Sequence, residues 1–273
     1  MANKYRIIPL IWILVHQYAY AAETETATNS FSIEESIGST SSAIYADASL
    51  GIGSSSTLDL SVSRSRDDTV SLNGYGLGWS VYSERGWSSL RYQYSGEADN
   101  VEAMNLSLDL GINRESWSGS IVPRLNTVRV YSQTGPKSSS AIFSPGVSAN
   151  YTYRTQNWDL GLEGGVNLYS KRLDTYTNNS RLLLLSNPLV SQMVSSLESS
   201  YMLVRASRYQ SWGVLSVQAL NSISAIDLSS ATTVSGYVRV RLGQDWDLKM
   251  GAAQSYYQQI PTTSYSLGLS TTW

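Results

Sequence analysis

From about Ala22 to Trp273 apolar and polar residues alternate with period two, and no apolar run approaches the ~20 residues a membrane-spanning helix needs. Met104, Leu106, Leu108 and Leu110 alternate with Asn105, Ser107 and Asp109; Trp158, Leu160 and Leu162 alternate with Asp159, Gly161 and Glu163. Val238, Val240 and Leu242 oppose Tyr237, Arg239 and Arg241, and Trp246, Leu248 and Met250 oppose Asp247, Lys249 and Gly251. Successive strand residues point to opposite faces, so each segment has one apolar and one polar face. The chain is all-β, and 19 Tyr, 8 Trp and 20 Gly with only 15% charged residues agree with that class.

Two architectures satisfy such strands. In a soluble sandwich the apolar faces pack on a second sheet. In a transmembrane barrel they meet lipid while the polar faces line an interior. The N-terminus bears on the choice. Lys4 and Arg6 precede an apolar stretch from Ile7 to Val15, and Ala19-Tyr20-Ala21 has the small-x-small form of a cleavage site, so residues 1–21 read as a signal peptide and 22–273 as one exported barrel domain. Export with no cysteine excludes a disulfide framework and a lipid anchor at the cleavage site. Without Lys4 and Arg6 the formal charge falls from -2 to about -4, which gives no reason to expect a nucleic-acid partner.

A turn followed by tryptophan recurs at Trp87, Trp117, Trp158, Trp212 and Trp246. Amphipathic indoles at one height on successive hairpins would form an aromatic girdle at a membrane interface. Between these turns lie polar connections at 96–100, 133–140, 171–198, 222–231 and 258–262, so short periplasmic turns and longer extracellular loops are expected.

The last residues carry a resemblance. Tyr265, Leu267 and Leu269 alternate toward an aromatic terminus, Trp273, with Gly268 upstream. This resembles the terminal strand signal of Gram-negative outer-membrane β-barrel (porin-like) proteins. Thr271 stands where a larger apolar residue is usual, and Trp replaces the commoner Phe. The resemblance implies an outer-membrane location, contact with outer-membrane lipid and lipopolysaccharide, and recognition by the barrel-assembly machinery.

Counting back from Trp273 gives strands near 262–273, 245–257, 231–242, 211–222, 198–209, 157–170, 140–154, 117–131, 101–112, 87–95, 69–82, 56–65 and 42–52. Bacterial barrels favour even counts, so 30–37, where Phe31, Ile33 and Ile37 alternate with polar residues, supplies a first strand and the total is 14, with 12 as the alternative. Pro123 removes a ladder donor and predicts a bulge. Within 171–198, Asn187-Pro188 followed by Leu189, Val190, Met193, Val194 and Leu197 has a helical start signal and helical spacing, which suggests a lid on the rim.

Strand phase assigns an interior lined by Asp47, Asp59, Arg91, Asp109, Arg124, Asp159, Glu163, Arg205, Arg239, Arg241 and Lys249. Tyr45, Asn73, Gln93, Asn126, Asn150, Arg154, Gln218, Tyr237 and Asp247 join them, and small Gly74, Gly76 and Gly78 would leave space. Charges of both signs require water or a polar plug. Acidic residues on early strands facing Arg205, Arg239, Arg241 and Lys249 on later ones would set up a transverse field. Simple pairing of neighbours, such as Glu163 with Arg205, is the alternative.

Catalysis finds little support. The single histidine, His16, lies in the signal peptide, which removes Ser-His and His-containing dyad chemistry from the mature chain. No Gly-x-Ser-x-Gly and no His/Cys metal cluster occurs, so no cofactor, metal or enzymatic activity is expected. The preferred reading is a passive channel for small polar solutes. A non-conducting, gated or export barrel is the alternative, and a soluble β-sandwich adhesin is a third.

Overall fold

The computed structural model describes residues 29–38, 41–67, 71–97, 101–131, 139–171, 197–225, 228–257 and 260–273. The signal peptide, and the helix read after Pro188, lie outside these residues. Fourteen antiparallel strands close into one barrel. They are β1 (Ser30–Gly38), β2 (Ser41–Ile52), β3 (Ser56–Asp67), β4 (Ser71–Ser83), β5 (Gly86–Glu97), β6 (Val101–Asn113) and β7 (Trp117–Tyr131). Then come β8 (Ser139–Arg154), β9 (Trp158–Asn167), β10 (Glu198–Gln210), β11 (Gly213–Ser224), β12 (Ser230–Arg241), β13 (Trp246–Tyr257) and β14 (Ile260–Thr272).

Each strand pairs with its sequence neighbours, and β1 closes the ring on β14 from Ser30↔Thr272 to Gly38↔Ser264. Thirteen of the strands have ten residues or more, enough to cross the hydrocarbon layer when tilted. Closure leaves the barrel no open strand edge, which is the condition for crossing lipid with strands.

The two ends differ. At the end holding both termini, strands are joined by two to four residues, as at 84–85 and 242–245. The Gly53 turn there uses a left-handed φ of 71°. At the other end most connections are also short, but 132–138 and above all 168–197 separate their strands by much more. The loop-side excess expected from sequence is therefore concentrated between β7 and β10.

The expected bulge at Pro123 is absent. Register is the same on both sides of it, Ser107↔Arg124 and Leu110↔Ile121, so proline only interrupts the β6–β7 ladder locally. Against β8 the pair Pro123↔Val147 keeps the register intact. A register shift occurs instead in the pairing of β10 with β11, at Glu198/Ser200 where β10 begins.

The outer wall is apolar: Leu77, Leu90, Leu106, Leu160, Leu162, Val204, Val217 and Leu267 all lie exposed on it. Such a continuous apolar surface requires a non-aqueous neighbour. Aromatic residues flank it. Trp79, Trp117, Trp158, Trp212 and Trp246 stand toward the turn end, and Tyr75, Tyr92, Tyr94, Phe143, Tyr256 and Tyr265 toward the loop end, with Tyr75 and Tyr94 stacked at 6.2 Å. On the turn side the Arg208 guanidinium lies 5.6 Å from the Trp158 ring. Beyond the loop-side aromatics the outer wall turns polar, with Arg64, Arg66, Asn73 and the pair Arg129–Glu102 at 3.4 Å.

Trp87 departs from the expected girdle. It is the second residue of β5 and pairs with Tyr82, so it shares the inward phase of Ser89 and Arg91. Its indole lies over Gly111 of β6, where any side chain would collide with the ring. Trp79, on the face opposite Gly76 and Gly78, is the girdle member the turn pattern did not reveal.

The position of the apolar face yields a test. Leu162→Arg on the outer wall should cost about 2–4 kcal/mol in urea unfolding from lipid vesicles. Gln218→Arg on the inner wall should cost well under half of that. Equal losses would contradict the assigned facing.

Candidate functional site: the inner wall of the barrel

All eleven charged residues expected to line the interior do so: Asp47, Asp59, Arg91, Asp109, Arg124, Asp159, Glu163, Arg205, Arg239, Arg241 and Lys249 share the inward phase of their strands. Tyr45, Gln93, Asn126, Asn150, Arg154, Gln218, Tyr237 and Asp247 face inward as well. Asn73 does not. Consecutive strand residues cannot share a face, and Gly74, Gly76 and Gly78 take the inner side, which sends Asn73 to the outer polar rim.

Most of the remaining wall is small and hydroxylic. Ser32, Ser36, Ser61, Ser80, Ser89, Ser118, Ser120, Ser148, Ser207, Ser216, Ser235 and Ser266 occupy inward positions on ten different strands. Serine does not reach far into the lumen, and glycine does not reach at all. Larger polar side chains can therefore lie along the wall and cross to strands that are not their neighbours.

This reach organises the interior. Lys249 on β13 donates to Glu34 on β1 at 2.9 Å, passing over β14 at Gly268, where a Cβ would come within 3.3 Å of the Glu34 side chain. The Lys249 ammonium also sits 5.1 Å from the Tyr237 ring. Across β7 to β10, the Tyr201 hydroxyl donates to Glu163 at 2.6 Å and accepts from Arg124 at 3.0 Å. Its ring covers Gly165. Asn105, Asn126 and Asn167 form an amide chain, with Asn126 reaching Asn167 at 3.3 Å over Gly146 of the intervening β8.

On the opposite side Asp47 accepts from Ser32 and from Tyr45, the latter at 2.6 Å. Asp59 accepts from Ser49 at 2.6 Å and Ser80 at 3.3 Å, and Gly78 lies between Asp59 and the Arg91 Nε. Asp159 accepts from Tyr209 at 3.0 Å. The suggested Glu163–Arg205 pair is not the contact made. Arg205 is in register with Gly161 and lies against it, 3.4 Å from a Cβ placed there, while Tyr201 takes the Glu163 carboxylate.

The walls are not segregated by sign. In a ring of fourteen, β10 faces β3 and β13 faces β6, setting Arg205 across from Asp59 and Lys249 across from Asp109. By the same geometry β2 faces β9, however, and Asp47 lies across from Asp159 and Glu163. Glu34, Tyr201 and Tyr209 were missed as participants. Glu34 could have been found from its place between Ile33 and Glu35 on an alternating strand, but the Tyr201 contacts join β7, β9 and β10 and leave no local trace.

Toward the loop end the inner wall changes character. Leu72, Val101, Ala103, Val128, Val130 and Ile142 hold inward positions and are at most 6% exposed. Leu203, Leu220 and Ala231 make a second apolar cluster on β10 to β12, flanked by Tyr201. The inner wall is therefore mixed near the loops, where these apolar side chains alternate with buried Ser36, Ser65, Ser95, Ser144, Thr233, Ser255 and Ser264, and predominantly polar in the turn-side half.

At the C-terminus Tyr265, Leu267, Leu269 and Trp273 are exposed on the outer wall and Gly268 points inward. Trp273 N–H donates to the Asn29 carbonyl at 3.2 Å.

No protein-family model matches the sequence, and no curated protein matches it. Among solved structures the fold is similar to outer-membrane-expressed OmpT of Vibrio cholerae, with a TM-score of 0.51 at 8% identity over 90% of this chain and 96% of that one. It is also similar to a loop L8 deletion mutant of the same Vibrio cholerae outer-membrane protein, with a TM-score of 0.50 at 10% identity over 90% of this chain and 98% of that one. The likeness is one of fold: this chain is a closed antiparallel β-barrel of fourteen strands, built in the manner of those outer-membrane proteins.

The ion pair across the closing seam has a measurable consequence. Glu34→Gln removes the carboxylate that Lys249 donates to in a confined space and should lower stability by about 3 kcal/mol in urea unfolding. Lys249→Met added to Glu34→Gln should recover most of the loss. Additive losses would mean the two groups act independently.

Proposed function

We propose that this protein is an outer-membrane channel that passively passes small polar solutes through its lumen, without cofactor, metal or catalytic chemistry. The observation that carries this reading is the turn-side inner wall: hydroxyl, glycine and charged side chains on every strand, with the carboxylates of Asp47, Asp59, Asp159 and Glu163 each accepting a hydroxyl hydrogen bond. Such a surface is stable against water and costly against lipid or a dry core. Its apolar outer wall fits outer-membrane lipid and lipopolysaccharide. The alternating outward residues ending at Trp273 are what we assign to recognition by the barrel-assembly machinery.

A second reading is favoured by the buried apolar inner wall near the loops, Leu72, Val101, Val128, Val130 and Ile142. An apolar arc on β4 and β6 to β8 disfavours ion passage along that wall, and a gated or non-conducting barrel, structural or dependent on export components, would have one.

Detergent-refolded protein in a planar bilayer separates the two. Steady single-channel openings are expected. Silence from protein whose gel mobility shows an intact barrel would discard the channel and leave the gated or structural reading.

A further inference from the structure

We propose that the lumen selects small oxyanions, carboxylate or phosphate, and that Arg205 and Arg239 are the groups that engage them. This inference rests on the channel reading and names its solute class. The observation is an imbalance in how the interior charges are committed. Asp47, Asp59, Asp159 and Glu163 already accept hydrogen bonds from tyrosine or serine hydroxyls, and Glu34 is paired with Lys249. Of the cations, Arg124 donates to Tyr201, Arg154 donates to Asn113 at 3.0 Å, and Lys249 is held by Glu34. Among the described residues, Arg205 and Arg239 make no hydrogen bond or ion pair.

The local geometry explains why. Arg205 lies flat against Gly161, in register between Asp159 and Glu163, and both of those carboxylates turn to tyrosines, Tyr209 and Tyr201. Arg239 is directly opposite Val214 on one side and Lys249 on the other, and the nearest acid on that face, Asp247, stands opposite Arg241 instead. Both side chains are half-buried on the inner wall of the turn-side half, separated by one strand, β11. Their register partners on β11, Gln218 and Val214, are four residues apart, which offsets their backbone positions by about 13 Å along the strand. They are successive stations, not two halves of one site.

A guanidinium presents up to five N–H donors in a planar fork that matches the two oxygens of a carboxylate or phosphate. With no protein acceptor assigned, water holds those donors, and an entering oxyanion exchanges that water for a charge-assisted pair. A cation meets, at Asp47, Asp59, Asp159 and Glu163, carboxylates that each already accept at least one hydroxyl hydrogen bond.

The test is the reversal potential of the refolded protein in a KCl gradient, followed by titration of the chloride current with sodium gluconate and, separately, glycerol phosphate. Wild type should prefer chloride to potassium, and Arg205→Gln/Arg239→Gln should reduce that preference by about threefold or more, the weight of one unit charge ~7 Å away in water. Arg205→Lys/Arg239→Lys should keep the preference and weaken block by the oxyanions. Block by gluconate alone assigns carboxylate, block by glycerol phosphate alone assigns phosphate, and block by both supports the shared chemistry.

Cation preference in wild type, unchanged selectivity in the double glutamine variant, or no block by either oxyanion overturns the inference while leaving the channel standing. An absence of conductance overturns the channel reading itself, and this inference with it. Should the double variant fail to fold by gel mobility, Arg239→Gln alone carries the same expectation, and the wild-type reversal potential already decides the sign.

Discussion

Everything in this molecule depends on closure of the backbone ladder between β1 and β14. In hydrocarbon no water is present to satisfy an open strand edge, so fourteen strands with thirteen pairings would leave two rows of unpaired amides, each costly. Nine consecutive residue pairs from Ser30↔Thr272 to Gly38↔Ser264 remove those edges. The Lys249–Glu34 contact then spans the closing strand from inside, over Gly268. The seam is thus held twice, by the ladder and by a side-chain bridge that only a glycine on β14 allows.

Once closure is fixed, strand phase divides the chain into two solvents. Outward positions meet lipid and carry leucine, valine and aromatic rings; inward positions carry serine, glycine and charge. Glycine and serine on the inner wall determine how the charges are arranged, because a large neighbour would block the flat path that Tyr201, Arg205 and Trp87 each take over Gly165, Gly161 and Gly111. The lumen is therefore organised by contacts two and three strands long. Acids are quieted by tyrosine and serine hydroxyls more often than by direct ion pairs, and that leaves some guanidinium groups without a protein acceptor.

The two halves of the lumen differ in what they offer a solute. The turn-side half is hydroxylic and charged, while the loop-side half carries Leu72, Val101, Val128, Val130 and Ile142 on its inner face. A polar solute crossing the barrel would meet charge on the first side and a mixed apolar and hydroxylic wall on the second. Conduction and gating in this fold would accordingly depend on different residues.

Period-two alternation determined the all-β class and the inward phase of Asp47, Asp59, Arg91, Asp109, Arg124, Asp159, Glu163, Arg205, Arg239, Arg241 and Lys249, because the pleat forces alternate residues to opposite faces, and with the even-count rule for bacterial barrels it gave fourteen strands. The same rule failed where phase depended on a turn of uncertain length. Trp87 follows a two-residue turn and points inward, and Asn73 yields the inner face to Gly74. Which charges meet was decided only by tertiary structure. Arg124 finds Tyr201 at a sequence separation of 77 and Lys249 finds Glu34 at 215, distances over which no local pattern operates; the side-by-side pairing of β7 to β10 brings the first pair together and closure of the ring the second.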